Sequence, residues 1–220
     1  MPRTGLARIV GGLIDRWGLE RATREDLALD SVALAPRLLG AVFAHETPEG
    51  VVAVRLSEVE AYRGVGEDPG SHAFRGRTAR NAVMFGEAGH LYAYFSYGMH
   101  VCLNVVAGHP GSSSAVLLRG GTVVEGVDLA RARRPRSTDR DLARGPARLS
   151  LALGVPLGAS GEDLLAPPYA LLLPGAPAAF ATGPRTGVSG PGGGAAYPWR
   201  FHVPDDPGVS PYRRHPRAED

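Results

Sequence analysis

HLYAYFSYGMHVCLNVVAG, residues 90–108, carries the strongest strand signal in the chain. Aromatic and β-branched residues run on both sides of a single break at residues 96–98. That pattern predicts a β-hairpin with a tight tip, and so an antiparallel sheet. Tyr94 lies inside the first strand, where it can face a pocket. Tyr97 projects from the tip, where a large aromatic is hard to bury within its own domain. Spacing alone leaves a second reading open, in which Tyr92, Tyr94 and Tyr97 form a core cluster.

Outward from this hairpin, AVFAH (41–45) and VVAVRLSEVEAY (51–62) flank the turn TPEG (47–50), which predicts another. AVLLRGGTVVEG (115–126) predicts a further strand pair broken at its glycines. Residues 1–27 form an N-terminal extension with a short helix ending near Asp26. Asp30 and Ser31 offer cap oxygens for a helix that Pro36 bends and Gly40 stops. Residues 63–90 predict an ordered loop with one short helical piece. Residues 129–154 are helical in composition but interrupted by Pro135 and Pro146. From Pro167 onward Pro and Gly dominate, with a flexible loop at 190–196, a last strand WRFHV (199–203) and a charged tail (206–220).

The 220 residues suit one domain, and 44% apolar with 21% charged residues is ordinary for a folded protein. A net charge of +2 permits a nucleic-acid partner without demanding one. No lysine occurs, so every basic side chain except histidine is arginine, a bias that GC-rich coding also produces. The single cysteine, Cys102, excludes an internal disulfide and a cysteine zinc cluster, and its apolar surroundings predict a core position. No secretory signal and no run of about 20 apolar residues are visible, which points to a cytoplasmic protein without a membrane span.

Candidate chemistry begins at Glu60. Period-two alternation on 52–62 puts Val52, Val54, Leu56, Glu58, Glu60 and Tyr62 on one side, so two carboxylates and a phenol continue an apolar face. Desolvation there raises a carboxylate's proton affinity and suits it to general-base work. The alternative is a strand that emerges into solvent after Leu56. Between 131 and 148, seven arginines against two aspartates suit phosphate contacts, or else form a solvated helix face. His90, His100 and His109 lack metal-ligand spacing, so no metal is expected. Gly64, Gly66 and Gly70 follow no strand-to-helix phosphate loop, so no nucleotide cofactor is expected. Arg213, Arg214 and Arg217 are expected in solvent.

At these residues the chain resembles a known family. LSEVEAYRG, SHAFRGRTARNAVMF, GHLYAYFSYGMHVCLNVV, AVLLRG and ARGPARLSLALG, in that order, are similar to the alkyladenine (3-methyladenine) DNA glycosylases, and the likeness spans roughly 28–205. It implies an α+β fold: one domain around a curved antiparallel sheet, with a protruding hairpin and flanking helices. It implies Glu60 as the base that activates water and Arg119 as the residue that helps place that water. Tyr62 and Tyr94 would stack on a flipped base, His72 would hydrogen-bond near it, and Asn104 would oppose the amino group of normal guanine. Tyr97 would wedge into the duplex, with Met99, Arg77 and Arg80 as further DNA contacts. Ala79 stands where the family often has proline, which bears on loop shape.

Glycosylases that also cut the strand need an amine to form a Schiff base. Without lysine, only Pro2, exposed by loss of Met1, offers one, so water is the expected nucleophile and an abasic site the product. The resemblance implies double-stranded DNA as partner, no cofactor, and a monomer. Expected substrates are 3-methyladenine and 7-methylguanine, with hypoxanthine and 1,N6-ethenoadenine as neutral candidates. Two other functions compete: a non-catalytic damaged-DNA-binding protein on the same scaffold, and a hydrolase of free nucleosides or RNA.

Overall fold

The computed structural model describes residues 5–96 and 98–220. The elements run α1 (Gly5–Trp17), β1 (Leu19–Arg21), α2 (Arg24–Leu27), α3 (Ser31–Leu34), β2 (Val42–Thr47), β3 (Gly50–Tyr62), β4 (Leu91–Ser96) and β5 (His100–Val106). Then come β6 (Ala115–Glu125), α4 (Val127–Arg133), α5 (Pro146–Leu153), β7 (Tyr169–Pro174), β8 (Ala181–Gly183) and β9 (Arg200–His202). Among the described residues all nine strands join one sheet in the order β1-β7-β2-β3-β6-β5-β4, with β9 on β3 and β8 on β9. Every pairing is antiparallel. The α+β class is therefore the one the resemblance implied.

Both hairpins form where turn chemistry placed them. β2 and β3 close over Thr47 and Gly50, and β4 and β5 pair from Leu91–Val105 out to Ser96–His100. Gly98 turns the second tip at φ 66°, a conformation that suits glycine. Tyr97 lies outside the described residues.

The helix from Ser31 is capped by Asp30, whose side chain accepts from the Val32 N–H, and passes into a 3-10 turn at Ala35–Leu38. The 63–90 loop contains one short helical piece, a 3-10 turn at Ala82–Phe85.

Four expectations change. The segment 115–126 is one strand, not a pair. Its glycines sit in the strand because neighbouring backbone crowds them: a Cβ on Gly121 would lie 2.2 Å from the Arg55 carbonyl oxygen, and one on Gly120 2.5 Å from that of Gly208. Pro146 opens α5 at its first turn instead of interrupting a helix. Residues 169–174, within the Pro- and Gly-rich third, form β7, which pairs with both β1 and β2. The extension holds two helices instead of one: α2 ends at Leu27, beside Asp26 as expected, and α1 precedes it, with Leu6, Val10 and Leu13 packed against Val42, Ala44, Ala170 and Leu172 of the sheet.

The larger core lies on the opposite face, where α3, α5 and the 3-10 turn bury Leu34, Leu38, Leu149 and Leu153 against Val52, Val54, Leu56, Val59 and Ala61. That list breaks strict alternation. Leu56 pairs with Gly121, Glu58 with Gly120 and Val59 with Leu118, so Ser57 on β3 and Arg119 on β6 are each left without a partner. A bulge at Ser57 shifts the parity of everything after it. Val59 and Ala61 thereby rejoin the core, and Glu58 and Glu60 turn to the other face. The expectation that these carboxylates share a side with Val52, Val54 and Leu56 is corrected accordingly.

Candidate active site

On that other face lies a cavity of about 720 Å³, a size usual for small-molecule sites (about 300–1,000 Å³). Tyr62, His72, Arg80, Tyr92, Tyr94, Cys102, Asn104 and Arg119 are in its wall. The sheet positions most of them: Tyr62 ends β3, Tyr92 and Tyr94 alternate on β4, Cys102 and Asn104 oppose them on β5, and Arg119 is the bulged residue of β6. Cys102 is buried as expected, but it borders the cavity beside Tyr94.

Glu60 has no exposed surface. Its carboxylate accepts from the Tyr62 hydroxyl at 2.9 Å, from the Thr186 N–H at 2.6 Å and from Arg119 Nη1 at 3.4 Å. All three donors line the cavity, so the carboxylate sits one layer behind its wall. Neither the solvent-exposed alternative nor a dry, unpartnered carboxylate describes it. The Thr186 hydroxyl beside it is buried and has no partner.

Glu58, also without exposed surface, has a different environment. It accepts from Arg119 Nε at 3.1 Å, Arg200 Nε at 2.6 Å and the Ser210 N–H at 2.7 Å. Burial pushes its pKa up, but the two guanidiniums and the Ser210 donor overcome that and hold it below the usual carboxylate value. Burial works against the charge on Arg119, and the adjoining Glu60 and Glu58 more than compensate, so it stays a cation. Arg119 thus ties both carboxylates together and reaches the Ser210 hydroxyl at 3.3 Å. Arg200 and Ser210 carried no local signal beyond the WRF segment, since each works through contacts distant in sequence.

Aromatic rings form the rest of the wall. Tyr92 and Tyr94 stack with centroids 5.5 Å apart, and His72 meets Tyr94 edge-on at 4.6 Å. His72 Nδ1 pairs with the Tyr92 hydroxyl at 3.0 Å. Burial, and then the charge of Arg80, lower the pKa of His72, so the ring is neutral at pH 7 and keeps one donor and one acceptor nitrogen. In an NMR titration its midpoint is expected below the usual 6.5 and should rise in Arg80→Ala, where one of the two causes is gone. A midpoint unchanged by that substitution would refute the electrostatic contribution. Burial, followed by the charge of Glu60, raises the pKa of Tyr62 well above 10, which keeps its hydroxyl a donor. The amide of Asn104 donates through Nδ2 to the Tyr92 carbonyl at 2.9 Å.

The expected DNA contacts divide. Arg80 lines the cavity, with its guanidinium 5.7 Å from the Tyr94 ring. Arg77 does not line it and lies over Phe85. Met99, at the hairpin tip, is 72% exposed. Tyr97 lies outside the described residues.

The arginines between 131 and 148 are largely taken up within the fold. Arg131 pairs with Asp128 and Asp139, Arg133 reaches the Ala152 carbonyl and Thr47, Arg134 holds two carbonyls, and Arg148 pairs with Asp141. Arg144 donates to the Val209 carbonyl at 2.7 Å and so pins the start of the tail. Arg133, Arg134 and Arg144 are thereby corrected to structural roles, while Arg131, Arg136, Arg140 and Arg148 remain exposed. In the tail, Arg213, Arg214 and Arg217 are exposed as expected, and Arg213 and Arg214, with His215, also border the cavity, because Gly187 and Gly190 donate to the carbonyls of Arg213 and Arg217.

Among the described residues no cluster of histidine, cysteine, aspartate and glutamate suits a metal ion, and no helix is long and apolar enough to cross a membrane. A family model of methylpurine-DNA glycosylase (MPG) matches residues 25–207. A protein of Leifsonia xyli subsp. xyli, provisionally named a 3-methyladenine DNA glycosylase, is 61% identical over 205 residues, covering 91% of this chain and 96% of the relative. Proteins provisionally given the same name in Streptomyces avermitilis and Nocardia farcinica are 53% and 52% identical, each over 88% of this chain and 92% of the relative. The chain belongs to the methylpurine-DNA glycosylase family.

Proposed function

We propose that this protein everts 3-methyladenine and 7-methylguanine from duplex DNA, and hypoxanthine and 1,N6-ethenoadenine with them, and hydrolyses the N-glycosidic bond with water activated by Glu60. Membership of the family makes the chain a DNA glycosylase, a repair hydrolase for alkylated bases. The observation that carries the finer reading is the placement of Glu60 directly behind three donors, each of which is also in the wall of an aromatic cavity.

In this mechanism Glu60 takes a proton from water. The hydroxide adds to C1′ of the flipped nucleotide, the C1′–N bond breaks, and its electron pair leaves with the base. Alkylation at N3 or N7 makes the purine cationic, so it departs neutral. A positioned base contributes about 10²–10⁴ in rate, and the leaving group and a stabilised oxocarbenium-like sugar supply the remainder. Arg119, bound to Glu60 at its longest contact, is the group best placed to share that oxygen with water. The unpartnered Thr186 hydroxyl gives the water or the sugar a further polar neighbour. Tyr62 and Tyr94 would hold the base, His72 would hydrogen-bond to it, and Asn104 would oppose the guanine amino group.

Excision from methylated duplexes, single strands and free nucleosides tests the reading. Release of alkylated purine from the duplex, leaving an abasic site, is expected. A preference for free nucleosides would overturn it, and tight lesion binding without release would favour a damaged-DNA-binding protein. Eversion leaves a gap in the stack that Tyr97 would fill. Tyr97→Ala is therefore expected to slow excision of a fully paired lesion about tenfold or more, yet spare a lesion in an unpaired bulge. Equal losses on both substrates would refute the wedge.

A further inference from the structure

Arg185 carries no local signal in the sequence, yet among the described residues it is the largest side chain with no exposed surface. Its guanidinium binds both Asp68 oxygens at 2.6 Å and donates to the Ala61 and Gly192 carbonyls. It also lies 4.5 Å from the centroid of the Tyr62 ring. Tyr62 is in the cavity wall and Arg185 is not, so the cation covers the ring from the side away from the cavity. The next residue, Thr186, donates its N–H to Glu60.

A guanidinium on one face of an aromatic ring draws on the same quadrupole that would attract a cation to the other face. Tyr94, the second aromatic platform, has Arg80 5.7 Å from its centroid. Both platforms thus already serve a cation before any base arrives. Cation–π attraction is worth about 0.5–2 kcal/mol, a factor of roughly 2–30 in any preference for a positively charged purine. Asp68 fixes the guanidinium in place and offsets part of its charge, so the effect sits toward the lower part of that range.

We propose that Arg185 is a specificity-determining positioning residue: clamped by Asp68 behind Tyr62, it weakens the cavity face of that ring for cations and so levels excision between cationic alkylated purines and neutral lesion bases. This rests on the base-flipping reading above and names how its two substrate classes are balanced.

The test compares kcat/KM for duplexes carrying 7-methylguanine and hypoxanthine in the parent protein, in Arg185→Lys and in Arg185→Met with Asp68→Asn. The double substitution removes the buried cation together with its counter-charge. The ratio of the two kcat/KM values does not depend on how much of a preparation is folded, so a merely structural role leaves it unmoved. The 7-methylguanine:hypoxanthine ratio is expected to rise about fivefold in the double variant and to stay within twofold of the parent in Arg185→Lys, which retains the charge. A fall in both rates with an unchanged ratio in the double variant would overturn the proposal. So would a parent protein that excises 7-methylguanine but leaves hypoxanthine untouched. A parent that releases neither base would overturn the glycosylase mechanism itself, and the inference with it.

Discussion

Glu60→Gln is expected to bind a methylated duplex as the parent does and to release base about 10²–10⁴-fold more slowly in single-turnover assays. The amide preserves the shape of the site. Its carbonyl still accepts from the Thr186 N–H, and the Tyr62 hydroxyl can rotate to accept where it now donates. Only Arg119 loses a partner, at the longest of the three contacts, and it keeps Glu58 and Ser210. Melting temperature should therefore change little while the base is lost. Excision by Glu60→Gln at the parent rate would remove Glu60 from the mechanism, whatever its burial.

Two residues earlier the balance reverses. Glu58→Ala leaves Arg200, Arg119 and the Ser210 N–H facing a buried gap, and breaking a buried ion pair from one side costs about 3–5 kcal/mol. For a chain of this size that corresponds to a melting temperature lower by about 10 °C. Because Arg119 then loses one of its two carboxylates, excision should fall as well, but as a consequence of lost positioning. The pH dependence follows from the direction of the Glu58 shift. Its folded pKa lies below the usual 4.5, so it contributes stability that is fully present above pH 4.5 and is lost as pH falls through the lower, folded value. Thermal unfolding from pH 7 to pH 3 should show that acid limb in the parent and a weaker one in Glu58→Gln. A loss of less than 2 °C in Glu58→Ala at pH 7 would mean that the cluster does not hold the tail and sheet together.

Much of the architecture was legible locally. The turn TPEG and the break at residues 96–98 were read correctly because turn chemistry acts over four residues. The candidate pocket residues Tyr62, His72, Tyr94, Asn104 and Arg119 do meet in one cavity. The misreadings share a cause. Gly120 and Gly121 look like a turn in isolation, and only the crowding by the Arg55 and Gly208 backbones makes them strand residues. The segment 169–174 is hidden by Pro and Gly on either side, and its pairing with β1 and β2 decides the matter. Arg133 and Arg144 look free for phosphate because their partners, Thr47 and the Ala152 carbonyl for one and the Val209 carbonyl for the other, lie outside the segment 131–148.

The sequence by itself determined the chemical inventory: two closely spaced glutamates, a set of aromatics on strand-like segments, and no lysine to form a Schiff base. Only the tertiary structure decided which face the glutamates take and which donors surround each of them. Paired bulges at Ser57 and Arg119 turn both carboxylates out of the core. Donors 126 and 152 residues away then separate their roles, Thr186 at Glu60 and Ser210 at Glu58. Side-chain type is a property of the chain, whereas the partners that solvate a buried charge are set by long-range hydrogen bonds, which no local pattern encodes.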